Sequence, residues 1–179
     1  KYDKDFLEAL REAQEKGYAE PDTKGDIDGS DTADKLSIMF RLMTNTQELE
    51  QFPVEGIENI TAEDVKYADE LGYATKLIGI IEEKKDVYYV GVHPALLSKR
   101  SLLGALENAY NGVELTDEYG ITSGFCAPGA GTYATAGAIL KDLIDIAENG
   151  KVPMPNYANH IRMGSFLDLE RRYYLRLSL

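Results

Sequence analysis

Two β-like runs lie too close together to be joined in more than one way. Lys76 to Ile81 and Val87 to His93 are rich in Val, Ile and Tyr, which suit a pleated, half-buried surface, and only Glu82 to Asp86 separates them. A parallel crossover needs about a dozen residues, so these runs must pair as an antiparallel hairpin. Further β-like runs occur at Val54 to Ile57, Ala109 to Leu115 and Ile121 to Phe125.

Helical patterns interleave with them. Phe6, Leu10 and Ala13 share a face between about Asp5 and Lys16, before the stop at Gly17. After Gly29-Ser30, the residues Ala33, Leu36, Phe40 and Met43 form a stripe. Thr61 and Asp64 have the spacing of a capping pair for a third helix, which ends at Gly72. A fourth spans Thr132 to Asn149 and ends at Gly150. The pattern predicts an α+β fold, with a mostly antiparallel or mixed sheet covered on one face by helices. Lys151 to Ser165, with Pro153, Pro155 and Gly164, reads as a linker, and Tyr173 to Leu179 alternates like a strand in need of a partner.

The 179 residues suffice for one main core, and 19 basic against 31 acidic residues leave a net charge of −12. That surface repels nucleic acid and anionic lipid but admits small zwitterionic ligands. The single cysteine, Cys126, excludes an internal disulfide framework and reads as a small buried hydrophobe. No apolar run approaches the roughly 20 residues of a membrane span, so a cytoplasmic location is expected.

The densest polar stretch runs from Glu20 to Lys35, with five Asp, one Glu and two Lys in sixteen residues. An EF-hand register placing Gly29 at loop position six puts Lys24 and Lys35 where the ion needs carboxylates, so no metal is expected. Asp31 and Lys35, four apart, share a helix face, over which Glu20 and Asp26 could fold. Such a group could bind a ligand ammonium and donate a proton to a developing oxyanion. The bland alternative is an acidic loop beside a surface ion pair. Gly129, Gly131 and Ala134 satisfy a degenerate G-x-G-x-x-G/A spacing between strand and helix, which is either a phosphate-binding turn or a plain Gly-rich turn.

As a set, several segments resemble homoserine dehydrogenase, over about residues 5–149. They are Gly17-Tyr18-Ala19-Glu20-Pro21-Asp22, Asp26-x-x-Gly29-x-Asp31-x-Ala33-x-Lys35-Leu36, Glu55-Gly56-Ile57-x-Asn59-Ile60-Thr61, Val92-His93-Pro94 and Pro128-Gly129-Ala130-Gly131. A second His-Pro usual in the family is replaced by Lys99-Arg100-Ser101. The resemblance implies NAD(P)-dependent interconversion of L-homoserine and L-aspartate 4-semialdehyde, on the way to threonine, methionine and isoleucine. It casts Lys35 as acid/base and Asp31 as its orienting and substrate-binding partner, with Glu20 and Asp26 binding substrate and Gly129 and Gly131 touching the cofactor. It also implies a homodimer.

The expected organisation is a substrate-binding and dimerisation domain at 1–125, then a Gly-rich turn and helix at 126–149 returning to a Rossmann-type domain outside this sequence. A linker at 150–171 and the first strand of a regulatory ACT domain at 172–179 would follow. On that expectation the chain alone is inactive; the alternative is a non-catalytic amino-acid-binding or dimerisation module.

Overall fold

The computed structural model describes residues 6–177 apart from Tyr18, Glu20, Pro21, Glu48 and 151–159. Its elements are α1 (Phe6–Glu15), α2 (Lys24–Asp28), α3 (Ser30–Thr44), α4 (Ala62–Glu70), β1 (Tyr73–Lys84), β2 (Val87–Ser98), α5 (Leu102–Ala105), β3 (Tyr110–Thr116), β4 (Thr122–Pro128), α6 (Thr132–Asn149) and β5 (Arg162–Met163). This is the α+β class expected, with a mixed three-stranded sheet in the order β1-β2-β5 and a separate antiparallel pair, β3-β4.

β1 and β2 pair antiparallel over their whole length, from Tyr73↔Ser98 to Lys84↔Val87. The turn is tighter than the spacing required. Only Lys85 and Asp86 lie between the strands, both at positive φ (52° and 60°), as in a two-residue turn whose twist matches its strands. Val54 to Ile57 is not a full strand; it contributes one parallel bridge, Val54↔Val92, which Pro53 and Glu55 flank with backbone hydrogen bonds to Val92.

The core lies between this hairpin and α3. Leu36 and Phe40 enter from the helix, Val90 and Val92 from β2, and all four are buried. The stripe identified in the sequence supplies Leu36 and Phe40, whereas Met43 at its far end is exposed. Tyr88 meets the edge of the Phe40 ring at 5.5 Å between centroids. Close approach of α3 depends on Gly79, where a β-carbon would stand 3.0 Å from a Leu36 methyl. The first turns of α3 are thereby held over the outer edge of β1.

α4 starts as the Thr61 and Asp64 spacing requires. The Thr61 side chain accepts from the Asp64 amide while the Asp64 carboxylate accepts from the Thr61 amide. Residues 160–177, which the composition assigns to a linker and a strand, pack across this unit instead. β5 runs parallel to the start of β2, with Val87↔Arg162 and Tyr88↔Met163. Phe166 lies against Gly91 and 5.0 Å from the His93 ring, and Leu169 is buried. The Tyr174 hydroxyl donates to Asp64 at 2.7 Å, and Arg176 pairs with the same carboxylate. Residues 171–177 form no regular element; Tyr174 and Arg176 reach Asp64 of α4, and Arg171 pairs with Glu82 of β1.

Among the described residues no helix is long and apolar enough to cross a membrane.

Candidate functional site

A five-residue helix and a left-handed corner aim the site. α2 ends and α3 begins at Gly29, at φ 84°, a conformation that costs a side-chain-bearing residue. The corner packs on Val54 and Val92, and the Ile57 amide donates to Ile27 O at 2.8 Å. Asp28 accepts from the Ser30 amide at 2.8 Å, and hydrogen bonding from Ser30 holds this carboxyl below its usual range. The acidic loop therefore has a structural part: it fixes the direction in which α3 leaves.

One turn into α3, Lys35 Nζ donates to Asp31 Oδ2 at 2.5 Å across the expected i,i+4 spacing. Both side chains are about half exposed, so the pair by itself stabilises the fold by no more than about 0.5 kcal/mol. Its importance lies in where it sits. A cavity of about 380 Å³ opens between α3, the outer edge of β1, α5 and β3, and Asp31 and Lys35 stand on its wall. Leu36, Met39, Leu103 and Leu106 make part of it apolar. Lys76, Asn111 and Glu114 add polar groups.

Two strand edges face this space. β1 pairs only with β2, and β3 only with β4, among the described residues. Lys76 braces the gap by donating to the Leu106 carbonyl oxygen, tying β1 to the segment that leads into β3. The small α5 is capped by Ser101, whose hydroxyl accepts from the Gly104 amide at 3.2 Å.

The residues predicted from the sequence divide into three groups. Asp31 and Lys35 meet in the cavity. Asp26 is exposed on α2 and does not line it, and Glu20 lies outside the described residues. Gly129 and Gly131 form the turn into α6, beyond β4. Gly131 caps α6 at φ 109°, nothing lies where its side chain would be, and the first turn of α6 carries no acid. That leaves backbone N–H groups of α6 open to an anionic or polar partner. Gly129 differs, because the space of its missing side chain is filled by Asn111.

Sequence reasoning missed Lys76, Asn111 and Glu114. They lie on strands, where their spacing carries no signal, and only packing gathers them around Lys35. Cys126, expected to be buried, is exposed on β4, because α5 packs on the hairpin at Gly112 and Gly124 rather than over the cysteine. No group of metal-ligating side chains occurs among the described residues.

The homoserine dehydrogenase family model matches residues 1–144. Homoserine dehydrogenase of Bacillus subtilis is 34% identical over 180 residues, covering 96% of this chain and 41% of the relative. That of Methanocaldococcus jannaschii is 39% identical over 151 residues, 82% of this chain and 43% of the relative. The solved structure of a homoserine dehydrogenase from Thiobacillus denitrificans matches 90% of this chain and 40% of its own with a TM-score of 0.77 at 33% identity. The chain thus spans about two fifths of the length of the relatives it matches.

Proposed function

The chain belongs to the homoserine dehydrogenase family, and on that premise we propose that it supplies the substrate-binding and acid–base part of an enzyme interconverting L-homoserine and L-aspartate 4-semialdehyde with NAD(P). The observation that carries this reading is the placement of the Asp31 and Lys35 pair on the wall of a cavity large enough for a small amino acid.

The chemistry follows from the groups. When bound, NAD(P) would supply reversible hydride chemistry at the carbonyl carbon. As the carbonyl oxygen gains charge, the Lys35 ammonium donates a proton to it; in the oxidative direction the neutral amine takes the hydroxyl proton. Asp31 orients Nζ and contacts substrate. Glu20 completes the binding of the substrate ammonium, and Asp26, outside the cavity lining on α2, supports it by its charge. The Gly131 turn, with its open space and free helix N-terminus, fits contact with the cofactor, and Gly129 supports that turn. Parallel pairing among the described residues is limited to β2 with β5 and the Val54↔Val92 bridge. These residues hold no dinucleotide fold, so the chain alone is inactive in this reading.

The proposal extends to organisation: 1–125 as the substrate-binding and dimerisation domain, 126–149 as the junction with the cofactor domain, and 150–171 as the approach to a regulatory ACT domain, whose first strand 172–179 would form on pairing with the rest of that domain. It also assigns a homodimer in the cytoplasm.

Lys35→Ala in the full-length protein tests the core of the reading. Homoserine oxidation is expected to fall by about 10² or more in kcat. Near-normal kcat would remove Lys35 from the mechanism. Sedimentation of the full-length protein at the mass of one subunit would remove the homodimer.

A further inference from the structure

Asn111 stands where the two candidate sites meet. It is the second residue of β3, and its partner in the ladder is Ala127 of β4. The strand pair continues one step further through a hydrogen bond from the Gly129 amide to Ala109 O at 2.8 Å. Asn111 and Gly129 are therefore diagonal neighbours, close enough for side chain to meet backbone. A β-carbon on Gly129 would stand 2.0 Å from Asn111 Nδ2 and 2.5 Å from its Cγ. The carboxamide is thus seated on the bare Cα of Gly129, two residues before the Gly131 cap of α6.

The same side chain belongs to the lining of the cavity that holds Asp31 and Lys35. No described hydrogen bond engages its carboxamide. A carboxamide carries two donors and an acceptor, and unlike Lys76, which is bound to Leu106 O, this one has that capacity to offer a ligand.

We propose that Asn111 is a specificity-determining residue of this cavity, its carboxamide donating to an oxygen of the amino-acid ligand while Gly129 holds it in place. The proposal rests on the dehydrogenase reading above. Gly129 then has a function besides nearness to a cofactor: it is the seat that fixes the Asn111 side chain. A larger residue at 129 would push the carboxamide out of position and disturb amino-acid binding from the cofactor side of the cavity.

Steady-state kinetics of the full-length protein test this with three variants. Asn111→Leu keeps the side-chain size and removes the hydrogen-bonding groups; KM for homoserine is expected to rise about tenfold, the scale of one lost hydrogen bond, while KM for the nicotinamide cofactor stays within about twofold. Gly129→Ala is expected to raise homoserine KM in the same direction. Asn111→Asp places a carboxylate in the cavity with Lys35, which favours the charged ammonium over the neutral amine that homoserine oxidation requires, so the acidic limb of its pH–rate profile is expected to move to higher pH, a change that a purely structural role would not produce. Unchanged homoserine KM in Asn111→Leu overturns the proposal, as does a rise confined to cofactor KM or an unshifted pH profile in Asn111→Asp. If the wild-type protein itself fails to oxidise homoserine, the dehydrogenase reading falls first, and that result is distinct from an active wild type with an indifferent Asn111.

Discussion

The two halves of this chain carry similar apolar patterns and treat them differently. In the sheet unit, Leu36, Phe40, Val90 and Val92 are almost wholly withdrawn from solvent, and the terminal segment covers the sheet further through Phe166 and Leu169. In β3, β4 and α6 the apolar residues stay open: Phe125 is 64% exposed, and Ile139, Leu140, Leu143 and Ile146 each exceed 50%. α6 has as clear an apolar stripe as α3, yet none of its residues is buried. A stripe says that a face can be covered; it does not say what covers it.

That contrast sets the order of expected effects on stability. Phe40→Ala, which empties the centre of the sheet unit, is expected to cost about 3–5 kcal/mol by denaturant unfolding of the full-length protein. A cost below 1 kcal/mol would mean that the core is not where the packing places it. Asp64→Ala removes one half of the α4 capping box together with the partner of Tyr174 and Arg176, and a loss of about 1–3 kcal/mol is expected. Arg176→Ala with full stability would show that the terminal segment does not hold α4.

Acid should act on the same contacts. Burial pushes the Asp64 carboxyl up, but Thr61, Tyr174 and Arg176 together outweigh it and hold the pKa below the usual value. A depressed carboxyl stabilises the fold while ionised, so this contribution is present at neutral pH and is lost as pH falls below about 4. His93 works higher on the scale. Burial lowers its pKa, Glu55 opposes that, and Arg171 adds to it. The folded state therefore prefers the neutral ring, and stability falls as pH drops through about 6.5 and below. His93→Gln is expected to flatten the unfolding midpoint between pH 7 and pH 5; an unaltered slope would remove His93 as its source.

The smallest effect belongs to the open half. Leu143→Glu on α6 is expected to change unfolding by no more than about 0.5 kcal/mol if the stripe stays uncovered in the full-length protein. A loss of 2 kcal/mol or more would show that another part of the protein lies on it, and would erase the contrast between the halves.

Most regular elements were legible, each for a local reason. The five-residue gap after Ile81 forced the hairpin, Thr61 and Asp64 marked the start of α4, and α6 runs from Thr132 to Asn149 as its pattern indicates. α2, α5 and β5 were not legible. They are five, four and two residues long, below the length at which periodicity or propensity can speak, and they exist because neighbouring parts hold them. The path of residues 160–177 was likewise hidden, since it depends on Gly91 leaving room for Phe166 and on a carboxylate more than a hundred residues away.

Of the site, the sequence by itself determined the pairing of Asp31 with Lys35, because four residues along a helix bring side chains together whatever surrounds them. It also determined the fold class and the family motifs. Tertiary structure alone decided that this pair faces Lys76, Asn111 and Glu114 across a cavity and that Asp26 stands outside it. The physical reason is reach: a turn of helix is set by neighbours in sequence, whereas a cavity is set by how closely α3 settles on Gly79 and where Lys76 anchors the segment leading into β3.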